Sequence, residues 1–266
     1  MSHASQNPGE PAAASDSVLV AGAPAIVVTS TPGEEPEAGA GVLQRAVAKG
    51  FAAAWENRVP AIVTLACMAT MVVCYYLWPS TGIVLQILAG WKEAGGFTFA
   101  ALASGFTGGI MAQAVKVALI QRFRWTWQNT VDAVFCFIFF AINGMLVVVL
   151  YRWQADYFGH EARWDIIAKK VLFDQFVFSF FWSAPFASIA FAWKDCGFSW
   201  VALRPRLNLG FVADTILPMV ITNWCFWIPM VSLVYSLPTA LQYPLFLIIM
   251  ALWSLILATL AEKRTA

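Results

Sequence analysis

Six apolar runs, at residues 59–78, 97–120, 131–151, 171–193, 211–236 and 239–260, limit what this chain can fold into more than any other feature. Each is near the roughly 20 residues that a helix needs to cross about 30 Å of hydrocarbon. Lipid offers no water to backbone N–H and C=O groups, so a run of this length must satisfy them internally, as a helix. The expected fold is all-α: an integral membrane bundle of about six hydrophobic helices, four to six of them true spans. Composition agrees, with 60% hydrophobic and 12% charged residues and a mean hydropathy of +0.70, values foreign to an ordinary soluble domain. Only Leu237 and Pro238 separate the last two runs, which implies a tight hairpin. Pro218, Pro229 and Pro244 predict kinks, because proline removes a backbone donor.

The segments ahead of the bundle (59–262) divide in two. Residues 1–40 are rich in Ala, Gly, Pro, Ser and Glu and contain no Lys or Arg, the pattern of a disordered acidic tail. They match neither an Arg-rich presequence nor a secretory signal with a basic start. Over 41–58, Leu43, Val47, Phe51 and Trp55 recur every four residues opposite Gln44, Arg45, Lys49 and Glu56. This predicts an amphipathic juxtamembrane helix, either lying at the interface or extending the first span. Trp55, Trp78, Trp125, Trp127, Trp153 and Trp193 stand at span ends, as interfacial anchors do.

Polar groups inside the spans are few, and each needs a reason. The fourth run opens with Lys169, Lys170, Asp174 and Gln175. Lys170 is four residues before Asp174, so on an α-helix the two share a face and the ammonium is expected to neutralise the carboxylate. Gln175, Ser179 and Ser183 follow at steps of four as a narrow polar line that should face protein or water. In the third run Asn143 needs a partner, either across helices or in a pore, and Asp132 reads as an interfacial cap. Asn223 and Thr222 play comparable parts in the fifth run, while Asp214, near its start, reads as solvated. The second run ends in Gln113 and Lys116; Lys116 either snorkels to the interface or biases the charge of a path. Its other face is small: Ala101, Gly105 and Gly109 at steps of four, beside Gly108, so close helix packing is expected there.

Other classes of function find little support. The net charge is +1 with no basic stripe, which sets nucleic acid aside. The five cysteines include no CxxC pair, and His3 and His160 are the only histidines, so a zinc site or a histidine triad lacks parts. No catalytic residue, metal site or cofactor is assigned, and an enzyme is not expected.

Beyond residue 97 an ordered set of short matches accumulates. It comprises Gly108 and Gln113; Gly144 and Tyr151; Lys169, Lys170, Asp174 and Gln175; Asn223, Trp224 and Trp227; then Pro229, Tyr235, Pro238 and Trp253. In this order and spacing the chain, over about 97–260, resembles the small peroxisomal and mitochondrial inner-membrane proteins of Mpv-seventeen type. It departs from that pattern at Gly109 and Met145, where the family has Asp and Pro, and at Ile228, which splits a Trp-Pro pair. The run at 59–78 and the tail look like additions. The resemblance implies a helical membrane protein whose relatives look like channels for small solutes.

Two functions follow as expectations. In the first, a weakly selective channel or transporter, Gln175, Ser179, Ser183, Asn143 and Asn223 line a polar path, with Lys116 and Asp174 biasing its charge. In the second, a non-conducting scaffold, the same groups only lock helices together. The expected partners are the lipid bilayer and, for the channel, small-molecule solutes; a homo-oligomer stays open. The location is a multi-pass membrane setting, an organelle inner membrane or a bacterial plasma membrane.

Overall fold

The computed structural model describes residues 41–119 and 121–265; the expected acidic tail, 1–40, lies outside them. Seven helices dominate: α1 Val42–Glu56, α2 Arg58–Leu77, α3 Ile83–Leu119, α4 Trp127–Phe158, α5 Trp164–Asp195, α6 Leu209–Tyr235 and α7 Thr239–Thr265. Five of them, α2 to α6, are long and apolar enough to cross a membrane. The chain is an all-helical, multi-pass membrane protein.

The expected sixth span behaves differently from the others. In α7 every side chain from Leu241 to Leu247 is buried. A helix apolar all round is a central one, and α7 forms the middle of the core with Phe140, Tyr151, Met230 and Tyr235 of α4 and α6. Thr239–Trp253 is the part of its apolar stretch whose side chains are described. The rest of the expected run lies beyond the described side chains.

Helices overrun the apolar runs because caps, not hydropathy, end them. α4 starts four residues early at a capping box, in which Thr126 and Asn129 bond each other's backbone N–H, and stops at Gly159, whose φ of 115° suits glycine. α3 begins at Ile83, ahead of the expected start at 97, with an apolar segment of its own before a bend at Gly96 (φ 54°, ψ −131°).

Wide turns closed by i→i+5 bonds interrupt α3 at Phe106–Met111, α5 at Asp174–Ser183 and α6 at Val212–Ile216. The last two end two residues before Pro185 and Pro218. Proline has no N–H to give the carbonyl four residues back, and its ring crowds that carbonyl, so the preceding turn opens. In α6 that carbonyl belongs to Asp214, and it accepts Lys49 Nζ of α1 at 2.8 Å.

The same place docks α1. Ala46, Gly50 and Ala53 are its buried residues. A Cβ on Gly50 would meet Ile221 at 2.7 Å and the Pro218 carbonyl at 2.9 Å, and Thr222 Oγ1 lies 2.9 Å from both the Gly50 and Pro218 carbonyl oxygens. Leu43, Phe51 and Trp55 consequently point outward, where lipid is their natural environment. α1 is set off from α2 by a bend at Asn57, so it does not extend the first span straight.

α3 lies along α4 on its small residues. Cβ atoms on Gly105 and Gly109 would meet the backbone of Phe137, a Cβ on Gly108 the ring of Phe140, and a Cβ on Gly144 the side chain of Ser104. Ala101 is half-buried beside this face. Tyr243 of α7 joins it, donating to the Ala100 carbonyl at 2.8 Å and accepting from Ser104 at 2.7 Å. Buried thiols are less common than the apolar runs imply: Cys136 is buried, while Cys67 and Cys225 face outward.

The alternation of helices puts the N-terminus and the connections after α3 and α5 on one face. With α7 returning to that face, ten Lys and Arg flank it against five on the other. The bias toward basic loops inside predicts that both termini are cytoplasmic, or on the equivalent side. Protease access to an epitope at each end, in sealed vesicles, checks this; termini on opposite faces would remove the arrangement.

Candidate functional site

One polar cavity sits inside the bundle. Its volume is about 70 Å³, and α5 gives it Asp174, Gln175, Ser179 and Ser183, α4 gives Asn143 and Tyr151, and α6 gives Asn223 and Trp227. The wide turn of α5 explains the clustering. Where bonds run i→i+5, residues five apart stand above one another, so Asp174 and Ser179 share the face that Gln175 and Ser183 also reach. Asn223 Nδ2 donates to Ser179 Oγ at 2.7 Å, and Trp224 Nε1 donates to the Gln175 carbonyl at 2.8 Å, which fixes α6 against the widened segment. Asn143 is half-buried, and its amide has no hydrogen-bond partner among the described residues.

The carboxyl of Asp174 is 7% exposed and is not paired with Lys170, contrary to the expected neutralisation. Tyr235 donates to its Oδ2 at 2.6 Å and Gln175 Nε2 to its Oδ1 at 3.3 Å. Lys170 is buried with its ammonium 5.9 Å from the ring centroid of Tyr235, and Lys169 reaches back to Asp165 at 3.9 Å. The backbone turn joining Lys170 and Asp174 is regular, with Asp174 N–H bonding the Lys170 carbonyl; the side chains diverge because Tyr235 presents its hydroxyl to the carboxyl and its ring to the ammonium. The Oε1 of Gln175 is buried with no donor.

Two predicted residues stand elsewhere. Gln113 is buried in the last turns of α3, which pack on α7, and its Oε1 lacks a partner; Lys116, three residues on, is half-buried. Neither lines the cavity. Thr222 holds α1, and Asp214 is exposed, as its solvated reading required. Asp132 does not cap a helix: it is buried and forms an ion pair with Lys194 at 3.0 Å.

Phe139 lines the cavity and also a second, apolar groove between α4 and the end of α5. Around Phe139, Phe140 packs edge-on at 5.0 Å, Phe186 stacks at 5.2 Å and Phe191 packs at 5.2 Å. Tyr151, Tyr235 and the Asp132–Lys194 pair are the parts of this region that residue spacing did not single out. A tyrosine ending one span, opposite a carboxylate inside another, was the only sequence sign of the first contact. No protein-family model, curated protein or solved structure matches the chain.

Proposed function

We propose that this integral membrane protein is a weakly selective channel or transporter for small polar solutes, with the cavity as the occluded part of its path. The observation that carries this is the convergence of six polar side chains, from three helices, on one cavity in an otherwise apolar bundle. Hydrogen bonding within the bundle does not use all of them: Gln175 Oε1 is buried with no partner, and the Asn143 amide makes no hydrogen bond among the described residues. The resemblance to the Mpv-seventeen type supports the same reading, because Tyr151, Asp174, Gln175, Asn223 and Trp227 among its matching residues surround the cavity.

A scaffold is the second reading. It is favoured by the bonds Asn223 to Ser179 and Trp224 to Gln175, which join α5 and α6. Such contacts average about 0.6 kcal/mol and can serve assembly alone. Cysteine accessibility separates the two. In a background lacking the five native cysteines, single cysteines at 175, 179 and 183 are expected to react with a small membrane-impermeant thiol reagent, while those replacing Phe176 and Phe180 stay inert. Liposomes holding the purified protein are expected to pass small polar solutes faster than protein-free ones. Inert cysteines at all five positions together with silent liposomes would leave the scaffold.

A further inference from the structure

We propose that the cavity is a binding site for a small primary ammonium cation, the size of ammonium or methylammonium, with Asp174 as its counter-charge. This rests on the transport reading and names its solute class. Among the lining residues Asp174 is the one ionisable acid, and no Lys, Arg or His joins it. Its two hydrogen bonds come from neutral donors, and it takes part in no ion pair among the described residues. A carboxylate buried in a membrane bundle is costly unless a cation accompanies it. The cation one turn away in sequence, Lys170, lies against the ring of Tyr235 instead.

Beside the carboxyl, the amide oxygen of Gln175 is an acceptor for which the protein supplies no donor, in a residue only 2% exposed. An N–H cation fills both vacancies at once, giving charge to Asp174 and a hydrogen bond to Gln175. The remaining walls select the same class. They are largely aromatic, with Phe139, Phe140, Phe178, Trp227 and Phe246 among them, and ring faces attract ammonium groups. A space of about 70 Å³ favours small cations over quaternary and long-chain amines.

The test is thermal unfolding of the purified protein in detergent at constant ionic strength, titrated with methylammonium, sodium or tetramethylammonium chloride. Methylammonium is expected to raise the Tm saturably, as a ligand of the folded state does, and the other two salts are not. Asp174→Asn is expected to abolish the shift. Gln175→Leu, which keeps the charge but removes the unmatched acceptor, is expected to weaken methylammonium binding about tenfold. Equal shifts with all three salts, or a full shift in Asp174→Asn, would overturn the proposal. Should Asp174→Asn not fold, the contrast between methylammonium and tetramethylammonium in the unaltered protein decides alone, because the charge is the same and only size and N–H donors differ. Solute flux without methylammonium binding keeps the transport reading and overturns this inference; saturable binding without flux does the reverse.

Discussion

Gly109→Ala is expected to destabilise the protein by about 3 kcal/mol, the upper end of what overpacking a core costs, although it adds a single methyl group. The added Cβ would lie 2.5 Å from the backbone nitrogen of Phe137, 2.7 Å from its Cα and 2.9 Å from the Ala133 carbonyl oxygen. These are backbone atoms of α4, so no rotamer change relieves the clash and the two helices must part. Gly105 faces the Phe137 carbonyl in the same way, at 2.8 Å. Leucine at either position is expected to remove most of the folded yield, because close backbone approach is what small residues provide between membrane helices. Gly90 is the control. Nothing lies within 4 Å of a Cβ there, so Gly90→Ala should be neutral or stabilising by up to about 1 kcal/mol, the helix propensity difference. Thermal unfolding and monodisperse yield in detergent measure all of these. If Gly109→Ala unfolds with Gly90→Ala, α3 and α4 do not meet along this face.

That face shows what the sequence could and could not disclose. Small residues at steps of four mark a stripe on a helix, and the stripe at Ala101, Gly105 and Gly109 needs no partner to be seen. The partner is invisible, since periodicity within one helix carries no information about Phe137, Ala133 or the Ser104 side chain that fills the notch at Gly144. The hydropathy runs likewise locate the helices but do not say that α7 is the central one. A central helix in a membrane bundle and a lipid-facing one are equally apolar, and only packing separates them.

Within the site, the line Gln175, Ser179, Ser183 was legible because its error is small. Steps of four and steps of five both keep these residues on one side of a widened helix. The failure of Lys170 to pair with Asp174 was not legible: the turn joining them is a regular one, and what separates the side chains is a partner from another helix. That partner comes from far along the chain. Tyr235 belongs to the end of α6, and its hydroxyl reaches Asp174 at 2.6 Å across 61 residues of chain. Gln113 and Lys116 were grouped with the cavity on polarity alone, and polarity does not fix the direction a helix faces.

The buried ion pair at the opposite end of the bundle carries the second large effect. Lys194→Met is expected to cost about 3–5 kcal/mol, the usual loss when a buried charge is left without its partner. Lys194 Nζ lies 3.0 Å from Asp132 Oδ1, with the two side chains only 6% and 10% exposed. Once the ammonium is gone, the carboxylate keeps only the amide of Gln128, at 3.1 Å, which brings no charge. The reverse change should be milder. After Asp132→Asn, Lys194 still has Asp195 within 3.6 Å, and that carboxylate is half exposed, so the ammonium retains both a partner and water. Asp132→Asn with Lys194→Met removes both charges together, and a neutral pair of similar volume is often as stable as the ion pair it replaces. The double variant is therefore expected to recover most of the loss of Lys194→Met, giving a strongly non-additive cycle in thermal or denaturant unfolding. Ionic strength adds a check of depth, because a buried pair is screened far less than a surface one such as Arg163 with Asp165. The coupling between Asp132 and Lys194 should persist in high salt; additive losses, or a coupling that salt removes, would mean that α4 and α5 are not joined by a buried pair at this face.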